Sequence, residues 1–254
     1  MDLPRTPSFR VDGKRALVTG GTRGIGLAAA AALAEAGASV TVVARNGDDV
    51  AAVANAFRAA GYAATGHALD LTDFGKVRAW VDDEEPFDVL VNSAGAARHA
   101  PALEVTEPDY RAVMDLNVGA TLFASQAVAA RLVARGRPGS IINISSQMGH
   151  VGGPSRTVYS ASKFAVEGLT KAMAIDLAVH NIRVNSICPT FIDTELAAKS
   201  LSDPAFRSWV LQKIKLGRIG RLEDIMGPVV FLASDAAALM TGSALMVDGG
   251  LTAE

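Results

Sequence analysis

Short apolar, β-favouring runs recur along the chain at residues 16–19, 39–43, 63–69, 89–92, 140–144, 183–188 and 244–247. Most read as ALVT, VTVVA or SIINI, continuously apolar rather than alternating, which is the pattern of a strand covered on both faces. Between them lie helix-patterned stretches at 24–36, 48–60, 106–135, 158–180 and 223–234. Parallel strands need crossover connections, so this βαβα alternation predicts a single-domain, doubly wound α/β (Rossmann) fold with a seven-stranded parallel sheet flanked by helices. Thr106, Pro108 and the acids around them mark a helix start. Residues 194–216, which include Pro204, are less regular and read equally as a helical flap or a plain surface excursion.

Composition narrows the picture. Half of the 254 residues are hydrophobic, enough for one sizeable core, so residues 14–254 read as one catalytic domain after an N-terminal extension at 1–13, with a substrate loop near 190–217. A net charge of −2 lacks the basic field that nucleic acid requires. The single cysteine, Cys188, cannot form an intramolecular disulfide, and the opening residues contain no apolar signal segment, so a cytoplasmic protein is expected. The Ala-rich run at 27–34 stops at Glu35, and no membrane-spanning helix or membrane partner is expected. No His/Cys spacing predicts a metal site.

Directly after the first strand stands Thr19-Gly20-Gly21-Thr22-Arg23-Gly24-Ile25-Gly26, followed at once by a helix. Glycines allow positive φ and close approach to a pyrophosphate, and the new helix offers free N–H groups and its dipole. The second strand ends in Val43-Ala44-Arg45-Asn46, with an arginine where an acid would favour a free ribose 2′-OH. Arg23 can approach the same 2′-phosphate from the other side, so NADP(H) is expected over NAD(H), with NAD(H) left open. Asp70 closes the third strand, placed either to accept from an adenine amino group or to cap a helix. Asn92-Ser93-Ala94-Gly95 ends the fourth, where small residues let a flat ring lie against the backbone.

Tyr159 and Lys163 lie four apart on a helix and share a face. Lowering a phenol by about three pKa units takes roughly 4 kcal/mol, part of which a neighbouring ammonium can supply. Ser146 follows a buried-looking strand and can polarise a substrate carbonyl, with Ser145 the neighbouring alternative. Asn117 sits mid-helix, where Asn is a poor helix former; it reads as the holder of a relay water beneath Lys163 or as a back-bonding residue. Gln147 and Arg156 are further candidates for substrate contact. Arg156 reads either as a partner for an anionic group or as a solvated surface arginine.

Taken in order, the glycine turn, Asn92 to Gly95, Asn117, Ser146, Tyr159 with Lys163, and Pro189 leading to Thr194 resemble the short-chain dehydrogenase/reductase family over about residues 14–250. The resemblance implies a tetrad in which Tyr159 is the acid-base, Lys163 binds the nicotinamide ribose, Ser146 holds the substrate oxygen and Asn117 serves the relay. It also implies backbone contacts from Ile25 and Leu71, and carboxamide contacts from Ile192 and Thr194. By general appearance the chain is similar to 3-oxoacyl thioester reductases and to sugar or polyol dehydrogenases. The family's usual second Asn is Ser93 here, and its usual Gly after Pro189 is Thr190. The implied activity is NADP(H)-dependent hydride transfer between a carbonyl and a secondary alcohol, carried out by a homotetramer. The competing reading is a non-catalytic, dinucleotide-binding regulator, for which a complete tetrad would be superfluous.

Overall fold

A computed structural model describes residues 1–254, the side chains of Leu196 and Lys199 excepted. The first half runs β1 (Arg15–Thr19), α1 (Gly24–Glu35), β2 (Ser39–Ala44), α2 (Gly47–Ala59), β3 (Ala64–Ala68), α3 (Phe74–Asp83), β4 (Val89–Asn92), α4 (Glu107–Met114) and α5 (Ala120–Ala134). The second runs β5 (Gly139–Ile144), α6 (Thr157–Ala178), β6 (Ile182–Pro189), α7 (Glu195–Leu201), α8 (Pro204–Lys213), α9 (Glu223–Ala233) and β7 (Ala244–Val247). The strands form one parallel sheet in the order β3-β2-β1-β4-β5-β6-β7. The chain therefore turns one way from β1 to β2 and the other way from β1 to β4, and a crevice opens beyond the ends of β1 and β4.

The unbroken apolar runs have a simple cause. Successive side chains point to opposite faces, so Val18, Val42 and Ile142 join the layer packed on Leu33, Ile225 and Leu232, while Leu17, Val43 and Ile141 join the layer packed on Val77, Val128 and Leu132. Each such buried side chain contributes about 1.5–3 kcal/mol, and both faces need one. Only at the sheet edges does the pattern weaken, as in the half-exposed β3 and β7. A buried polar chain crosses the central strands: Asn92 Nδ2 donates to Ser125 Oγ (2.8 Å) and Asn143 Oδ1 (2.9 Å), and Asn143 Nδ2 donates to Thr170 Oγ1 (2.9 Å). It fixes α5 and α6 against β4 and β5.

Several details differ from the sequence pattern. The helix expected at 106–135 is interrupted by a five-residue π turn, Asp115–Gly119, between α4 and α5. Residues Glu107–Ala134 together are long and apolar enough to cross a membrane by length and composition, contrary to expectation, yet half of that apolar window is buried within the fold. Helix α3 has no counterpart in the apolar pattern. The irregular stretch after Thr194 folds as α7 and α8, and Pro204 begins α8 rather than breaking it. Residues 1–10 are exposed, but Val11 is fully buried in the core and Phe9 packs on Phe231 with ring centroids 6.1 Å apart.

Candidate active site

A cleft of about 700 Å³ runs along the C-terminal ends of the strands. At its base lies the glycine turn. Gly20 and Gly24 have φ of +66° and +52°, in the left-handed region. A Cβ on Gly20 would come within 2.8 Å of Ala94 Cα, and one on Gly26 within 2.1 Å of the Gly20 carbonyl oxygen, so the turn is closed by contacts that only glycine permits. Helix α1 begins here with neither a side-chain cap nor an acid in its first turn, which leaves its N–H groups and dipole for an external anion. Thr22, Arg23, Gly24, Ile25 and Gly26 all line the cleft. These residues fit a dinucleotide pyrophosphate.

Arg45, at the end of β2, also lines the cleft and makes no ion pair among the described residues. Arg23 meets only Glu195, at 3.4 Å with both side chains 80% exposed, a contact worth little. The neighbouring Asn46 caps α2 by accepting from the Asp48 and Asp49 amides. An arginine rather than an acid follows β2 directly, so the site fits a 2′-phosphate near the two guanidiniums. Leu71, Ala94 and Gly95 line the cleft beside it.

At the other end of the cleft, β5 and α6 assemble the reactive groups. Ser146 caps the 3-10 turn Gln147–Gly149, its Oγ accepting from Met148 N (3.1 Å) and donating to Gln147 Oε1 (2.7 Å). Lys163 Nζ is buried, donates to the Ile144 carbonyl (2.8 Å) and stands 5.7 Å from the Tyr159 ring centroid. Burial lowers the Lys163 ammonium to about 8, against the opposing pull of Cys188 and Glu167. Burial likewise raises the Tyr159 phenol above its ordinary 10, while a hydrogen bond with Ser146 and the charge of Arg156 act in the opposite direction. His99 meets the Tyr159 ring edge-on at 6.1 Å; burial first, and Arg156 second, lower it to about 4, so it is neutral at physiological pH.

Behind Lys163 lies a group that spacing does not reveal. Ser186 Oγ (3.0 Å) and Cys188 Sγ (3.4 Å) both donate to the buried Glu167 carboxylate, and His150 Nε2 stands 3.6 Å from it. Ligand atoms of His150, Glu167 and Cys188 lie within 4.8 Å of one another, although no metal-binding spacing occurs in the sequence. Burial, with Glu167 beside it, pushes the Cys188 thiol up to about 12, so it stays protonated and serves as a donor. Glu167 is the counter-charge to Lys163, one helical turn away on α6.

Ser146, Gln147, Arg156, Tyr159, Lys163, Pro189, Ile192 and Thr194 all line the cleft. Four other placements bear on the sequence reading. Asn117 is buried in the π turn. Its Oδ1 accepts from Ala96 N (2.8 Å), and its Nδ2 donates to Ala96 O (3.0 Å) and to Ser162 Oγ (3.0 Å), so it tethers the loop after β4 to α6. Asn92 is buried and committed to the polar chain across the sheet rather than to the cleft. The Asp70 carboxylate accepts from the amide and hydroxyl of its neighbour Thr72 (2.9 and 2.7 Å), and the helix cap beyond it is Asp73. Arg156 is not a surface arginine but only 9% exposed. At the position where the family has Gly, the Thr190 hydroxyl is buried in the cleft wall without a partner.

Comparison with known proteins decides the family. Residues 20–252 match the model of a family described as Enoyl-(Acyl carrier protein) reductase. Over 248 residues the chain is 39% identical to gluconate 5-dehydrogenase of Gluconobacter oxydans, covering 96% of each. It is also 39% identical to D-erythrulose reductase of Gallus gallus, covering 96% of this chain and 98% of that one. The chain belongs to the short-chain dehydrogenase/reductase family. A crystal structure of a family member from Burkholderia cenocepacia, a gluconate 5-dehydrogenase in complex with NADP and tartrate, superposes with a TM-score of 0.94 at 40% identity, over 97% of this chain and 98% of that one. This short-chain dehydrogenase/reductase is accordingly an oxidoreductase of CH–OH groups and carbonyls, not a non-catalytic regulator.

The arginine pair generates a direct prediction. Replacing Arg23 and Arg45 together by Ala removes two charge-assisted donors of about 1.5–3 kcal/mol each. NADPH affinity, followed by fluorescence titration, should fall at least about tenfold while NADH affinity shifts far less; equal losses for the two would show that neither arginine reads a 2′-phosphate.

Proposed function

We propose that the chain is an NADP(H)-dependent reductase and dehydrogenase of short polyhydroxylated carbonyls and alcohols, with Tyr159 as its acid-base. The observation that supports this reading is a Tyr159 whose phenol hydrogen-bonds with Ser146 and whose ring centroid lies 5.7 Å from the buried Lys163 ammonium. Relatives name both neutral substrates, such as D-erythrulose and L-xylulose, and an acid, gluconate. Related structures carry NADP.

Bound NADP(H) supplies or accepts the hydride. Gly20, Thr22, Gly24, Ile25 and Gly26 hold the pyrophosphate, Arg23 and Arg45 the 2′-phosphate, Leu71, Ala94 and Gly95 the adenosine side, and Pro189, Ile192 and Thr194 the carboxamide. Ser146 can turn its hydroxyl from Gln147 to the substrate oxygen, which polarises the carbonyl and fixes its distance from Tyr159. Tyr159, protonated at neutral pH, gives its proton to the developing alkoxide. Lys163 steadies the phenolate that remains, and the Ile144 carbonyl and Glu167 hold Lys163 in register. Asn117 acts through Ala96 and Ser162, keeping the loop after β4 aligned with α6; it is a positioning residue.

The assembly we propose is a cytoplasmic homotetramer. Phe164, Ile175 and Val179 stand 49%, 77% and 78% exposed on or just beyond α6, an apolar face that solvent alone does not favour. Light scattering should give the mass of four chains, and Phe164→Glu should lower it; a wild-type monomer would refute the assembly.

The catalytic reading predicts that Tyr159→Phe lowers turnover by about 10²–10⁴-fold with NADPH binding retained. The pH dependence has a fixed sign. Tyr159, raised above 10, and Lys163, at about 8, are both protonated at pH 7, so carbonyl reduction should decline as pH passes about 8, where Lys163 loses the charge that steadies the phenolate. Wild-type turnover in Tyr159→Phe, or reduction that rises through that range, would contradict the mechanism.

A further inference from the structure

The cleft holds a cation that no acid neutralises among the described residues. Arg156 stands at the start of α6, three residues before Tyr159, and only 9% of it is exposed. Its backbone forms an isolated bridge with Ala100, which fixes the residue against the loop after β4. Its guanidinium lies 5.7 Å from the Phe206 ring centroid on α8, and Phe206 in turn packs on Phe191 and Trp209. Among the described residues the guanidinium makes no hydrogen bond or ion pair, although it lines the cleft. A buried guanidinium with its five donors unused is costly, and water and an aromatic face replace only part of what it lacks.

The surroundings show what would complete it. The charged residues of the cleft are four cations, Arg23, Arg45, Arg156 and Lys163, and two acids, Asp49 and Glu195, among the described residues. Glu195 pairs with Arg23 and Asp49 follows the Asn46 cap of α2, so both acids belong to the nucleotide end. Near Tyr159, Lys163 is already committed to the Ile144 carbonyl and backed by Glu167, and His99 is neutral. That leaves one unanswered positive charge, in electrostatic contact with Tyr159, shaped as a planar fork. One guanidinium without a second free cation matches the single charge and two oxygens of a carboxylate, which it can bind through two parallel hydrogen bonds.

We propose that Arg156 is the carboxylate-binding residue of the substrate site, and that the preferred substrates are hydroxy acids and their oxo-acid counterparts rather than neutral polyols and sugars. The proposal rests on the reading of Tyr159 and Ser146 as the place where the carbonyl or hydroxyl carbon reacts. Arg156 would then set which carbon of the chain is presented to them, with Phe191, Phe206 and Trp209 forming an aromatic wall behind the carboxylate. It chooses between the acid and the neutral compounds on which the relatives act.

Tartrate and threitol share a four-carbon chain and differ only in carboxylate against hydroxymethyl ends, so they make a matched pair of probes. Titrated calorimetrically into the full-length protein with bound NADPH, tartrate should bind at least about tenfold more tightly than threitol. Arg156→Met should collapse that ratio toward one, and Arg156→Lys, which keeps the charge but loses the fork, should restore part of it. NADPH affinity of each variant reports whether the fold is intact. Tartrate binding no better than threitol in the wild type, or a ratio unmoved by Arg156→Met in a variant that still binds NADPH, would overturn the assignment. Tyr159→Phe separates the two layers: it bears on the catalytic reading alone, since tartrate discrimination by Arg156 does not require the phenolic hydroxyl.

Discussion

An ammonium buried at the C-terminal end of a parallel sheet is the constraint on which the rest of the site depends. Lys163 stays largely charged inside the protein, with the Ile144 carbonyl accepting a hydrogen bond from it at 2.8 Å and Cys188 and Glu167 opposing the effect of burial. Those groups come from different layers, so the register of α6 against β5 and β6 must hold closely. Ser186 and Cys188 on β6 hold Glu167, and Asn143 on β5 holds Thr170 of α6. The catalytic geometry is thus a consequence of how one helix is bolted to two strands.

The same arrangement explains a division of labour along the cleft. Toward the nucleotide, recognition is mainly backbone: glycines that no Cβ can replace and an uncapped helix start. Toward the substrate, it is side-chain chemistry set on the rigid ends of β5, β6 and α6. Under the proposal for Arg156, specificity falls to what surrounds that rigid part, namely Arg156 and the aromatic residues of the segment after β6. The π turn at Asn117 belongs to the rigid part. It adds a residue to the helical turn there and lets a buried amide reach Ala96 and Ser162.

Much of this was legible in the sequence, for physical reasons. Strands buried on two faces have little choice of residue, so β1, β2, β4 and β5 stand out, and the glycine turn announces itself by position. Helix α3 does not, because ten residues of mixed polarity carry little periodic signal. Helices α7 and α8 are marked chiefly by the caps Thr194 and Asp203, which resemble ordinary loop residues. Lys163 and Glu167 lie four apart on α6, and only tertiary packing buries both, so that the charge of Glu167 acts on Lys163. Arg156 stays open between two readings in the sequence for the same reason, since nothing local distinguishes an arginine that will be covered by the loop at Ala100 and by Phe206. Asn92 was misread in the opposite sense, as its strand-end position suggested the cleft while its amide turns into the sheet.

The central proposal is that Lys163 stabilises the Tyr159 phenolate once NADP⁺ is bound. It is tested most directly by ultraviolet titration of the phenolate, taken as the difference between the wild type and Tyr159→Phe and repeated in a Lys163→Met background. The account predicts a tyrosine that titrates above 10 in the free protein, is lowered when NADP⁺ is bound, and loses most of that lowering without the lysine. An identical titration with and without Lys163, in protein that still binds NADP⁺, would contradict it.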